Sequence, residues 1–186
     1  MSNKSKPDEE MLYMKPSDWG KFKAVIDNDH WLLYFDLTQS LGLRASETLS
    51  LRFSGIDFEQ GIIRVKTLKR KDHPVFPLDV RPDLLMKLKE LMIDKRFNQD
   101  HIFTYTYHRV WSKFKSYAKR AGLHPRLSPH SLRHLYGLRL VQATHGNTAE
   151  MARALRHAGT SMVARYVHVL PERRKEIAKK MWGDQV

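Results

Sequence analysis

Ser128-Pro129-His130-Ser131-Leu132-Arg133-His134-Leu135-Tyr136 is the stretch on which the reading of this chain turns. Pro129 suits the first position of a helix and Ser128 can cap its free backbone N–H groups, so the stretch predicts a helix start. His130 and Arg133 then lie one turn apart. Side chains three positions apart on a helix have Cβ atoms about 5–6 Å apart, close enough for an imidazole and a guanidinium to converge on one small anion. Phosphate fits. Arginine offers a rigid fork of donors to two of its oxygens, and histidine can donate a hydrogen bond or move a proton near neutral pH.

The surrounding charge points the same way. From His101 to Ala149 there are 49 residues without one Asp or Glu, carrying Arg109, Lys113, Lys115, Lys119, Arg120, Arg126, Arg133, Arg139 and six histidines. A solvated surface normally mixes both signs, whereas a run of one sign favours a phosphate backbone. The whole chain, 186 residues with 33 Lys plus Arg against 20 Asp plus Glu, has a net charge of +13. This length suits one domain, and 41% hydrophobic residues suffice for a real core. No run of 18 apolar residues and no secretory leader is present, so the expected polyanion is nucleic acid rather than a membrane surface. The absence of cysteine excludes disulfides and thiolate metal sites and is compatible with a cytoplasmic, nucleoid-associated protein.

Upstream, residues 1–15 read as an N-terminal tail. Pro16, Ser17 and Asp18 signal a helix start, followed by Trp19, Phe22 and Ile26 at helical spacing. Trp31, Leu32, Phe35, Leu37 and Leu41 surround the next helix too completely for a surface element, so it belongs to the core and ends at Gly42. Arg44 follows at once, three residues before Glu47. Two readings stand for this pair: an ion pair that caps a short helix, or a carboxylate that orients Arg44 toward a phosphate.

Residues 52–67 read as a hairpin, with Ile56 and Phe58, then Ile63 and Val65, alternating about Glu59-Gln60-Gly61. Lys66, Lys69, Arg70 and Lys71 form a basic tip before a third strand, Pro74-Val75-Phe76-Pro77-Leu78; a solvated loop protecting an edge is the other reading of that tip. Val80 to Arg96 predicts an amphipathic helix packing through Leu84, Leu88, Leu91 and Met92. Tyr107 to Ala121 predicts another, with Val110, Trp111, Phe114 and Tyr117 apolar and basic residues opposite, able to lie along DNA. Asn147-Thr148 caps a helix running toward Leu155, and a pair of short helices follows.

His157 stands nine residues before Tyr166. Taken with Arg44 in Gly-Leu-Arg-x-x-Glu, a hairpin lysine and His130-x-x-Arg133, in that order, this set resembles the tyrosine recombinase (phage integrase) family over residues 16–170. The resemblance implies an α+β catalytic domain, mainly α-helical with a small three-stranded antiparallel sheet. It also implies site-specific DNA cleavage and rejoining through a 3′-phosphotyrosyl intermediate, with no metal or cofactor. By resemblance, Arg44 and Arg133 clamp the scissile phosphate, His130 and His157 hydrogen-bond it and assist proton transfer, and Tyr166 is the nucleophile. Lys69, eight residues before Pro77, protonates the leaving 5′-oxygen, and Glu47 supports Arg44. Lys66, Arg70, Lys71, Arg109, Lys113, Arg126 and Arg156 are expected DNA-backbone contacts.

Three departures accompany the resemblance. Typical members carry an N-terminal helical domain that closes around DNA, and only some fifteen residues precede the pattern here, as expected of an excised fragment or of the short fimbrial phase-variation recombinases. The family's Leu-Gly-His is Leu155-Arg156-His157, expected to add a cation without harm, and the loop carrying Lys69 lacks the usual glycine. Residues 171–186 read as a basic helical tail whose Ile177, Met181 and Trp182 would dock on a neighbouring protomer, in a tetramer on DNA or with a partner recombinase. Other classes remain: a DNA-binding regulator of the same fold without turnover, a type IB topoisomerase-like strand relaxase, and a metal-dependent nuclease using His130 and His134. The last lacks any nearby carboxylate to complete a site.

Overall fold

The structure, a computed structural model, describes residues 13–67, 72–94 and 100–156 together with 160, 163 and 166. The chain divides into two compact units between Leu135 and Tyr136. Among the described residues no helix is long and apolar enough to cross a membrane.

The first unit is built on aromatic helices. α1 (Pro16–Ala24) opens with Pro16 in its first turn and the Asp18 carboxylate accepting the Lys15 N–H at 3.0 Å. In α2 (Asp29–Ser40) the Asn28 side chain caps the Trp31 N–H. Phe22 of α1 packs against Phe35 of α2 and against Phe114 of α5 (Tyr107–Arg120), with ring centroids 5.3 and 4.9 Å apart. Each such ring, fully buried, contributes about 1.5–3 kcal/mol. Trp31 stacks on Tyr105 at 3.9 Å. At the far end of α5, Arg120 and the Tyr117 hydroxyl both donate to the Asp27 carboxylate, at 2.6 and 3.0 Å. The Arg120 bond holds Asp27 below the ordinary carboxylate range, and burial beside that carboxylate pushes the Tyr117 phenol up to about 12.

Between the helices lies an antiparallel sheet of order β1-β2-β3: β1 (Ile56–Asp57), β2 (Ile62–Lys66) and β3 (Val75–Asp79). In β2, Ile63 and Val65 point into the core while Arg64 and Lys66 face solvent, as the period of two requires. Pro77 sits opposite Arg64 on the edge strand, where a missing N–H is tolerated. Gly61, at φ 68°, supplies the left-handed residue of the turn.

Three helix and strand expectations change. The first hairpin strand is only two residues long, and Phe58 falls in the turn. Asp100 is the reason: its carboxylate accepts from Arg52, the Ser54 N–H and the Ser54 hydroxyl, and its carbonyl from the Phe53 N–H, drawing Phe53–Gly55 into a 3-10 turn. α4 (Pro82–Ile93) starts two residues later than Val80, whose N–H is used by the Gly61 carbonyl; Met92 is exposed rather than packed, and Arg96 lies outside the described residues. On α5, Trp111 is 44% exposed, not part of the buried stripe of Val110, Phe114 and Tyr117, and carries the Lys115 ammonium 5.3 Å from its ring centroid.

The second unit contains the later part of α6 (His130–Ala143) and α7 (Thr148–Ala154), which Asn147 caps through the Ala149 and Glu150 N–H groups. Val141, Met151, Ala152, Leu155, Val163 and Tyr166 make its core. The expected short helices beyond Leu155 fall mostly outside the described residues.

Candidate active site

Gly42 creates the first half of the site. It follows α2 at φ 58°, and the Leu43 N–H returns to the Thr38 carbonyl at 2.9 Å, the helix-ending motif that glycine permits. Two residues later Arg44 caps α3 (Ala45–Leu49). Glu47 in its first turn is 0% exposed and accepts the Arg44 N–H at 2.9 Å and the Arg44 guanidinium at 2.6 Å. The carboxylate therefore caps the helix and also fixes the direction of the Arg44 side chain.

Glu47 has another partner that spacing did not reveal. The Arg133 guanidinium, on a residue only 2% exposed, lies 3.6 Å from the second carboxylate oxygen and donates to the Gly42 carbonyl at 2.6 Å. Two guanidiniums 89 positions apart in sequence thus share one buried carboxylate. One carboxylate against two arginines leaves a net positive site, with donors held rigidly before any ligand arrives.

α6 enters this site through a short loop. Its first turn differs in detail from the expected cap: the Ser131 hydroxyl accepts the Ser128 N–H at 3.1 Å, and the Ser131 N–H donates to the Ser128 carbonyl at 2.8 Å. Lys115 of α5 braces the loop from outside, donating to the carbonyls of Pro125 and Leu127 at 2.6 and 2.7 Å. His130 is exposed at the helix start, one turn before Arg133, and its ring meets the His134 ring edge to face at 4.6 Å.

Tyr166 belongs to the second unit, where it is 5% exposed. Its ring lies over Gly137 of α6: a Cβ built there would be 2.8 Å from the Tyr166 Cζ. Arg156, expected to add a cation beside the phosphate site, is 3% exposed, with Nη1 donating to the Ala154 carbonyl at 3.2 Å. Its φ is 55°, a left-handed conformation that costs a non-glycine residue about 1–2 kcal/mol, so arginine at this position is not harmless to the backbone.

Of the other sequence-derived residues, Lys66, Arg109 and Arg126 are exposed and Lys113 partly so; Lys69, Arg70, Lys71 and His157 lie outside the described residues. Sequence reasoning missed three contributors. The Gly42 carbonyl and the Lys115 brace left no signal, because backbone acceptors and lysine carry no spacing rule. Gly137 did leave one: a glycine inside a helix asks for an explanation.

The chain resembles known proteins over most of its length. The profile described as "Phage integrase family" matches residues 24–173. The tyrosine recombinase XerD of Shewanella oneidensis is 28% identical over 76% of this chain and 50% of that protein, and XerA of Saccharolobus solfataricus is 32% identical over 80% and 50%. The chain thus spans about half the length of these relatives. Among solved structures, XerA recombinase aligns with a TM-score of 0.76 at 16% identity, covering 97% of this chain and 67% of that one. The Tn1549 transposon integrase, in complex with transposon right-end DNA, aligns at 0.77 and 15% identity, covering 98% and 68%. At these identities the structural likeness is one of fold.

Proposed function

Because this chain belongs to the phage integrase family, we propose that it is the catalytic portion of a site-specific DNA recombinase, cutting and rejoining strands through a 3′-phosphotyrosyl intermediate. The observation that carries this reading is the pair of guanidiniums, Arg44 and Arg133, fixed by the buried Glu47 carboxylate. In-line attack by the Tyr166 phenolic oxygen on a backbone phosphorus concentrates negative charge on the non-bridging oxygens. Cations already in place stabilise that transition state more than the ground state. His130 and His157 add hydrogen bonds to the same oxygens and help take up the proton that the phenol loses as it attacks. Lys69 gives a proton to the departing 5′-oxygen as its bond to phosphorus breaks and the tyrosyl–phosphorus bond forms. The phosphotyrosyl ester retains the energy of the broken phosphodiester, so a 5′-hydroxyl reverses the step and frees the tyrosine without ATP.

Lys66, Arg70, Lys71, Arg109, Lys113 and Arg126 would track the DNA backbone, and Arg156 would join them only on leaving its buried position. Acting on chromosomal DNA would place the protein at the nucleoid. Assembly as a tetramer on two sites, alone or with a partner recombinase, would use residues 171–186 as an exchanged tail, with residues 16–170 as the catalytic body. Incubation with a nicked suicide duplex carrying candidate sites tests the reading. The native chain should give a protease-sensitive covalent DNA complex that Tyr166→Phe cannot form. DNA binding with no such complex on any cleavable site would instead favour a regulator without turnover.

A further inference from the structure

A helix interior is a poor place for glycine, which destabilises it relative to alanine, and α6 carries Gly137 at its centre with an ordinary right-handed backbone. The chain conformation therefore does not call for glycine there. The neighbouring side chain does. A Cβ at position 137 would lie 2.8 Å from Cζ, 2.9 Å from Cε1 and 3.1 Å from Cε2 of Tyr166, where carbon atoms normally approach to about 3.5–4.0 Å. These are the atoms at the far end of the ring, and Cζ bears the phenolic oxygen. By contrast Gly20, the glycine inside α1, has nothing within 4 Å of its built Cβ.

We propose that Gly137 is a positioning residue: its missing side chain is the seat on which the Tyr166 ring rests, and this seat sets where the phenolic oxygen is presented. The reading deepens the strand-cleavage function and rests on it. Val141, one turn further along α6, and Leu155 and Val163 belong to the same apolar cluster as Tyr166, so shape fixes the ring's position on this side. One methyl group at position 137 must push the hydroxyl end away by a substantial fraction of an ångström. Because in-line attack tolerates little misplacement, about 1 Å being worth roughly 10²-fold in rate, the substitution acts on chemistry and not on DNA affinity.

Two measurements test the seat. In single-turnover cleavage of a suicide duplex, Gly137→Ala should be slower than the native chain by tenfold to about 10²-fold at unchanged DNA affinity, while the control Gly20→Ala cleaves at the native rate. An equal rate for Gly137→Ala would overturn the positioning role. The second measurement needs no activity. In a thermal-denaturation cycle, Gly137→Ala should raise the melting temperature in a Tyr166→Ala background, where helix propensity acts alone, and raise it less or lower it when the tyrosine is present. Additive effects would show that the ring does not rest on Gly137. If the native chain forms no covalent complex at all, the cleavage reading fails while the cycle still decides the seat.

Discussion

The two units hold their contributions to chemistry by opposite means. In the first, Arg44, Glu47 and Arg133 are charged groups fixed by directional bonds, with a carboxylate buried completely between two guanidiniums. In the second, Tyr166 sits in an apolar cluster with its ring on a glycine, so that shape helps set where the ring lies. The contrast suits the proposed roles. Phosphate-binding cations gain from rigidity and from being in place beforehand, whereas a nucleophile must be presented and later released. A charged cluster is broken by losing a partner; an apolar seat is broken by gaining an atom.

That contrast orders the expected effects. Glu47→Ala would leave Arg133 buried without its carboxylate, and should lower stability by about 3–5 kcal/mol in urea unfolding. Tyr166→Phe, which preserves shape, should lose less than that. A large loss from Tyr166→Phe with little from Glu47→Ala would invert the comparison. Arg133→Lys keeps the charge but removes the planar fork, and should slow strand cleavage by about 10²–10³-fold. A native rate would mean that charge alone suffices.

Smaller effects sharpen the description of each unit. Arg156 combines a left-handed backbone with a buried guanidinium. Arg156→Gly relieves the strain and Arg156→Ala does not, so the glycine variant should be the more stable of the two by about 1 kcal/mol in thermal unfolding. In the first unit, the His30 Nε2–H donates to the Ile102 carbonyl at 3.1 Å and Nδ1 accepts from the Tyr105 hydroxyl at 2.5 Å. Burial lowers the His30 pKa, partly offset by the Ile102 bond. A group depressed on folding contributes stability that is present above its unfolded pKa of about 6.5 and is lost as pH falls through the folded value. The melting temperature should therefore drop on acidification below about pH 6.5, and less steeply in His30→Gln. An unchanged slope in that variant would assign the acid sensitivity elsewhere.

Much of this architecture was readable from residues alone, for physical reasons. Helices with strong punctuation, such as Pro16, Gly42 and Asn147, announced themselves because caps and breakers act locally. The β1 strand was overestimated because its shortening depends on Asp100, 46 positions after Ser54. His130-x-x-Arg133 was visible because helical spacing makes neighbours of such residues. The bond from Arg133 to Glu47 was not, since no local rule relates positions so far apart. Trp111 and Met92 misled for a simpler reason: an apolar residue at helical spacing can still lie just outside the buried stripe.

The most direct test of the phosphate role uses a suicide duplex whose scissile phosphate is replaced by an uncharged methylphosphonate, with Arg44→Ala as the variant. If Arg44 acts by neutralising developing charge, its loss should slow cleavage of the phosphodiester far more than cleavage of the methylphosphonate. The same slowing on both substrates would mean that Arg44 does not act on phosphate charge.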